Sequence, residues 1–191
     1  MPDTQYVHVG GAVLIDGGTL NVSNALFDGN TANNGGAIGT SQNNASAINA
    51  TSCTFNNNVA TLNGGGIYLQ HAVAGETDTV VITGCSFDKN AANGGSGASV
   101  YSRGGSGVTI QNVSCSGGTW GWKGEIYITS GARLTIGGTA TLDVVTDRIF
   151  VTGEKTTVVV RHSTEEEKTA LTNQITLAEN ATLSYVDISA Q

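Results

Sequence analysis

Phe27-Asp28-Gly29-Asn30, Phe55-Asn56-Asn57-Asn58 and Phe87-Asp88-Lys89-Asn90 share one pattern, F-x-x-N, at spacings of 28 and 32 residues. A Gly-rich step follows each copy: Gly35-Gly36-Ala37-Ile38, Gly65-Gly66-Ile67-Tyr68, and Gly94-Gly95 leading into Ser99-Val100-Tyr101. Gly10-Gly11-Ala12-Val13 reads as the tail of an earlier, incomplete copy. Counting back from each Phe, apolar residues fall in columns: Leu20, Ile48 and Val80; Val22, Ala50 and Ile82; Ala25, Cys53 and Cys85. A fourth copy keeps the columns at Val108, Ile110, Val113 and Cys115. It loses the signature, with Cys115 for Phe and Gly118 for Asn.

Alternation of apolar and polar residues marks strands, and one extra residue between two alternating runs marks a corner. Three short strands and polar corners in about 26 to 32 residues describe one coil of a parallel β-helix. A single coil cannot bury its apolar side. Stacking sets equivalent side chains about 4.8 Å apart and turns each column into an interior ladder. The expected fold is therefore an all-β solenoid of about four to six coils. Leucine-rich repeats would need a helical Leu-rich segment in each unit, and none is present. A sandwich or propeller fits the fixed phase of the Gly/Asn corner less well.

Composition agrees. The 191 residues include 27 Gly, 25 Thr and 17 Asn but one Pro, and 12% are charged, too few for a helical bundle or coiled coil. Apolar residues at 39%, regularly alternating, argue against disorder. Eight basic residues and a net charge of −7 leave no electrostatic footprint for nucleic acid or an anionic membrane. No run of about 18 apolar residues is present to span a bilayer, so no membrane insertion by this chain is expected. Met1-Pro2-Asp3-Thr4-Gln5 lacks the basic and apolar regions of a signal peptide. The Asn/Thr/Gly-rich, charge-poor composition nonetheless favours an extracellular or cell-surface location.

The repeat coils are assigned to residues 1–140. Residues 141–191 are read as irregular terminal coils or a capping region of the same domain. Leu134-Thr135-Ile136 continues the first column, and further strands are expected at Arg148–Val151, Thr157–Val160, Gln174–Leu177 and Leu183–Ile188. A short helix is expected near 164–171, where Thr164 and Glu167 make a capping box. The acidic start of that helix reads as a solvated first turn.

The pairing of F-x-x-N with G-G-[A/I]-[I/L/V] resembles the repeat of polymorphic outer-membrane proteins of the chlamydial type. It stands here as Phe27–Asn30 with Gly35–Ile38, Phe55–Asn58 with Gly64–Ile67, and Phe87–Asn90 with a degenerate Gly94–Val100. The likeness spans roughly residues 10 to 130. It implies a right-handed parallel β-helix in an exported bacterial surface protein, working in adhesion or as a passenger stalk.

The ladder residues Phe27, Phe55, Phe87, Asn30, Asn58 and Asn90 are expected to hold the fold, with Phe stacked inside and Asn in a sharp left-handed turn. Cys53, Cys85 and Cys115 face the interior. They are expected as free core thiols, since in-register parallel neighbours have poor geometry for a bridge. No C-x-x-C or Cys/His cluster suggests a metal, and no cofactor is implied. His8, His71 and His162 fall into no catalytic motif, and His71 is expected in an exposed loop. Asp28 and Asp88 share a column about two coils apart with Asn56 between. Many β-helix proteins are polysaccharide lyases or glycosidases and need converging acids. Here both Asp residues are turn formers with no nearby base, and no D-x-D-x-D spacing suggests calcium. The Gly runs lack the Lys-Ser/Thr and the helix of a phosphate loop.

Aromatics give the candidate binding face. Tyr68, Tyr101 and Tyr127 follow the inward Ile67, Val100 and Ile126, so alternation turns them outward in one column, with Trp120 and Trp122 in the neighbouring corner. The tyrosines are read either as a ladder that stabilises the sheet by stacking across strands, or as rings covered by the later strands and the helix, or as a row that accepts a glycan or a host- or neighbour-cell surface protein. The expected function is a non-enzymatic adhesin-like or stalk-forming segment of a larger surface polypeptide. The alternatives are a carbohydrate-active enzyme and a carbohydrate-binding module.

Overall fold

A computed structural model describes residues 8–70, 79–104, 106–142, 148–178 and 180–189. The chain winds as a right-handed parallel β-helix of about six turns with one short helix. Each early coil crosses three faces. The first face is bent in two. Its first half holds Gly18–Ser23, Ser46–Thr51 and Thr79–Thr83, and its second half Leu26–Asp28, Thr54–Asn56 and Ser86–Asp88. The long strands Gly107–Ser116 and Arg133–Leu142 run across the bend and join both halves into one ten-stranded sheet. The second face is a narrow four-stranded sheet of Thr31–Ala32, Val59–Ala60, Ala91–Ala92 and Thr119–Trp120. The third has seven strands, from Val13–Ile15 through Ile38–Thr40, Ile67–Gln70, Val100–Arg103, Ile126–Ile128 and Ile149–Val151 to Ile175–Leu177.

Strand register reproduces the sequence columns. Leu20, Ile48, Val80, Val108, Leu134, Val158 and Leu183 stand in line on adjacent parallel strands of the first face. Val13, Ile38, Ile67, Val100, Ile126, Ile149 and Ile175 oppose them from the third. Most of these side chains are buried in one continuous core, each contributing about 1.5–3 kcal/mol by leaving water. Phe27, Phe55 and Phe87 stack inside with ring centroids 4.8 and 4.6 Å apart and planes within 10°. That separation is the strand spacing itself, so offset stacking costs the backbone nothing.

The Asn ladder forms, but not through a left-handed Asn. Left-handed backbone falls one residue earlier, at Gly29, Asn57, Lys89 and Gly117, with φ from 50° to 67°. Gly and Asn adopt that conformation readily, whereas Lys89 adopts it at a cost. The turn thereby sends the next side chain inward. Asn58 Nδ2 donates to Phe27 O at 2.9 Å and to Asn90 Oδ1 at 2.9 Å, while Asn58 Oδ1 accepts from the Asn30 backbone N–H at 3.1 Å and from Asn30 Nδ2 at 2.8 Å. Asn90 repeats the pattern to Phe55 O at 3.0 Å. Each amide thus satisfies backbone that the corner leaves without a sheet partner. A second left-handed column, Gly10, Gly35, Gly64 and Gly97, opens the third face. A Cβ at Gly64 would lie 2.5 Å from Ile67 O, so only glycine fits there.

Beyond residue 148 the coil simplifies. Strand Thr157–His162 of the first face leads through a helix, Glu165–Thr172, directly to Ile175–Leu177 of the third. Thr164 is the N-cap and its Oγ1 accepts from the Glu167 N–H at 3.1 Å. The Glu167 carboxylate reaches past Thr164 to Ser163, taking its N–H at 2.8 Å and its hydroxyl at 2.7 Å. That return contact is one residue earlier than in a standard capping box. Leu171 pins the helix to the core.

Candidate functional site

On the third face the outward row runs Leu14, Gly39, Tyr68, Tyr101, Tyr127 and Phe150. The expected exposed platform is not there. Tyr68, Tyr101 and Tyr127 are outward in register but only 5%, 9% and 3% exposed. The reason is that the rings spend their flat faces on one another. Centroids are 5.3 and 5.4 Å apart along the three tyrosines and 5.7 Å from Tyr127 to Phe150, with planes within 16°. Val9 and Phe150 pack against this cluster. Trp122 tilts against Tyr127 at 5.8 Å, and the Tyr68 hydroxyl donates to Gln70 Oε1. Burial pushes the Tyr68 phenol up to about 12 and raises Tyr101 and Tyr127 as well. Of the five aromatics, Trp122 is the one left largely in solvent, at 66% exposure, while Trp120 is half-buried on the second face.

The acids of the coil corners are tied into turns. Asp28 and Asp88 flank Asn56 in one column, as spacing required. Asp28 Oδ1 accepts from Asn56 Nδ2 at 3.0 Å and Asn57 Nδ2 at 3.3 Å. Asp88 accepts the Ser116 hydroxyl at 2.7 Å and pairs with Lys89 at 3.4 Å, and the Ser116 bond above all holds it below the usual carboxylate range. Asp16 accepts from the Ser41 hydroxyl and from Asn44 Nδ2, which lower its pKa likewise.

Cys53, Cys85 and Cys115 are buried free thiols. Cys53 N–H points at Cys85 Sγ, 3.3 Å away, while the Cys85 thiol donates to Ala50 O and Thr83 O at 3.5 Å. Burial pushes the Cys85 thiol up to about 11. Cys115 stands beside Phe87 at the end of the Phe ladder.

Sequence reasoning missed one gathering of titratable groups. His162, 6% exposed, stands opposite Asp187 in strand register, with the Tyr185 ring edge-on at 6.3 Å. Lys168 Nζ lies 4.8 Å over Tyr185. Glu167, held low chiefly by Ser163, and Asp187, held low chiefly by Ser189, both feel the His162 charge. Only the register of Val158 with Leu183 could have revealed the pairing, because residues 25 apart make no linear motif. His71 lies outside the described residues.

A family profile described as "Right handed beta helix region" matches residues 41–185, three-quarters of the chain. This chain belongs to the right-handed β-helix family. The Chlamydia polymorphic membrane protein repeat matches residues 24–41, which hold the first F-x-x-N and its Gly step. That repeat suggests an outer-membrane or surface protein. The chain is also similar to metabotropic glutamate receptor-like protein R of Dictyostelium discoideum. The two are 36% identical over 94 residues, which is 49% of this chain and 5% of that protein. The chain therefore spans a small fraction of the relative's length. No solved structure matches it significantly. Among the described residues, no helix of this β-helix protein is long and apolar enough to cross a membrane.

Proposed function

We propose that this β-helix is a rigid, non-catalytic segment of a longer exported surface protein, an adhesin-like stalk that meets a glycan or a protein of another cell surface. The observation that carries the reading is the set of unbroken ladders, Phe27–Phe55–Phe87, Asn30–Asn58–Asn90 and Tyr68–Tyr101–Tyr127–Phe150, which lock successive coils in register. Such coils add stiffness and reach along one axis. The corner acids support it. Asp16 and Asp88 are held ionised by local hydrogen bonds, the opposite of what a general acid requires. The polymorphic membrane protein repeat supports the surface location. Antibodies raised against the chain should label intact cells, and external protease should remove the epitope. Labelling that requires permeabilisation would overturn the reading.

One observation favours a carbohydrate-active enzyme instead: His162 and Asp187 stand opposite each other in strand register, with Glu167 on the adjoining helix. Turnover of a polysaccharide that disappears in His162→Ala would establish that alternative, and the stalk reading expects no turnover.

A further inference from the structure

The outward row of the third face is interrupted at one rung. Gly39 stands between Leu14 and Tyr68 where later coils carry rings, and a side chain there would meet Val9, whose Cγ1 is 2.3 Å from the ideal Cβ position. In front of this gap opens a groove of about 590 Å³, within the range of small-ligand sites, roughly 300–1,000 Å³. One wall comes from the corner preceding the third face, Asn34 and Leu62. The other comes from Gln70, the last residue of its third-face strand, and from Gln42 and Asn43 in the segment after Thr40. We propose that this groove binds a neutral oligosaccharide.

The chemistry of the walls selects that class. A side-chain amide offers both a carbonyl acceptor and two N–H donors, which matches a sugar hydroxyl that donates and accepts at once. The groove is rich in amides. Among the described residues the side chains of Gln42 and Asn43 have no hydrogen-bond partner, and both residues are exposed. Leu14 and Leu62, 55% and 42% exposed, add apolar surface against which the C–H face of a pyranose packs. No lining side chain carries a charge at neutral pH, since the phenol of Tyr68 is raised to about 12 and is engaged with Gln70. Asp16, the nearby acid, is turned to Ser41 and Asn44. An acidic ligand would find no counter-charge, whereas a neutral polyol needs none.

The site rests on the surface reading only for where such a ligand would be encountered. The test uses the purified chain and calorimetric titration with cellohexaose, maltohexaose, mannohexaose and chitohexaose, with hexagalacturonate as the charged control. At least one neutral probe should bind, with little change between low and high salt. Gln42→Ala combined with Asn43→Ala should weaken it about tenfold or more, the loss expected for two hydrogen bonds. Asn49→Ala, on the first face, should leave binding unchanged. The proposal is overturned if no neutral probe binds, if the double variant binds as the parent does, or if hexagalacturonate is preferred. Failure here leaves the stalk reading intact, and an intracellular location would sink that reading without touching the titration.

Discussion

Glu125 places its carboxylate over Gly118, so that Oε2 lies 1.9 Å from where a Cβ at 118 would be. Gly118 follows Asn90 in register and is the position at which the Asn ladder stops. Glu125, fully buried, comes from the neighbouring face. It stands where earlier coils carry Ala37, Gly66 and Ser99, and it accepts the Ser99 hydroxyl at Oε1. One long side chain from one column thus takes the space of a missing side chain in another.

Restoring the repeat at this point should therefore harm the protein. Gly118→Asn forces the carboxylate aside and should cost about 1–3 kcal/mol, as overpacking does. Adding Glu125→Ala should recover part of that loss, because the two positions share one space and their effects cannot add. Urea unfolding of the four-member cycle measures the coupling. Additive effects would mean that the two side chains do not compete.

Phe55 is stacked on both sides, so Phe55→Ala should cost about 3–5 kcal/mol. Phe27, the first rung, has one stacking partner and more exposure, so Phe27→Ala should cost less. Equal losses would contradict a continuous ladder.

The extent to which the sequence showed all this follows from the geometry of coils. In a solenoid a linear period becomes a stack, so the Phe and Asn columns and the strand at Leu134 were legible as spacings. Alternation also told that Tyr68, Tyr101 and Tyr127 point outward. The shared column also allowed them to stack on one another, as they do, but it did not show the cover from Trp122 and Val9, which lie on other segments. The loss of Asn at 118 was visible, but its replacement by Glu125 crosses from one face to another and leaves no periodic trace. The same holds for His162 and Asp187, which meet where the motif has faded.

Removing Asn58 should strand buried groups on the preceding coil. In Asn58→Leu the Asn30 backbone and side-chain donors and the acceptor Phe27 O lose their Asn58 partner, while Asn90 Oδ1 keeps only the Asn58 backbone N–H. Each buried unsatisfied group costs about 1–3 kcal/mol. Denaturant unfolding should show a loss at least as large as that of Phe27→Ala, and a neutral substitution would remove the ladder from the account of stability.

The thiols should be silent in the folded protein. With Cys85 pushed up to about 11, only on the order of one thiol in a thousand is ionised at pH 8, and the thiolate is the reactive form. Alkylation at pH 8 should label none of the three cysteines until denaturant is added, then all three. Rapid labelling of the native chain would show that the coils open.

Alkali should loosen the third face before acid chemistry matters there. The folded pKa of Tyr68 lies at about 12, above the ordinary value of 10.0, because burial disfavours the phenolate. A raised folded value means that its contribution is fully present below pH 10 and is lost as pH rises from 10 towards 12. Tyr101 and Tyr127 act in the same direction. Tyr68→Phe should flatten part of the alkaline decline in stability, measured by thermal unfolding across that window. An identical decline in the variant would place the sensitivity elsewhere.

The corners differ in how much length they absorb. Two residues, never more, separate Ser23 from Leu26, Thr51 from Thr54, and Thr83 from Ser86. The same holds from Asp28 to Thr31, Asn56 to Val59, and Asp88 to Ala91. The passage from the third face back to the first is three residues after Arg103, four after Ile128, five after Thr40 and eight after Gln70. The longer interval between Phe55 and Phe87 is taken up mainly there, and the rings still meet face to face. One edge of the solenoid is therefore a margin that can be rewritten while the body keeps its phase. Foreign segments spliced along that edge would be displayed in a row, one per turn, beside the groove that Gln42, Asn43 and Gln70 already border.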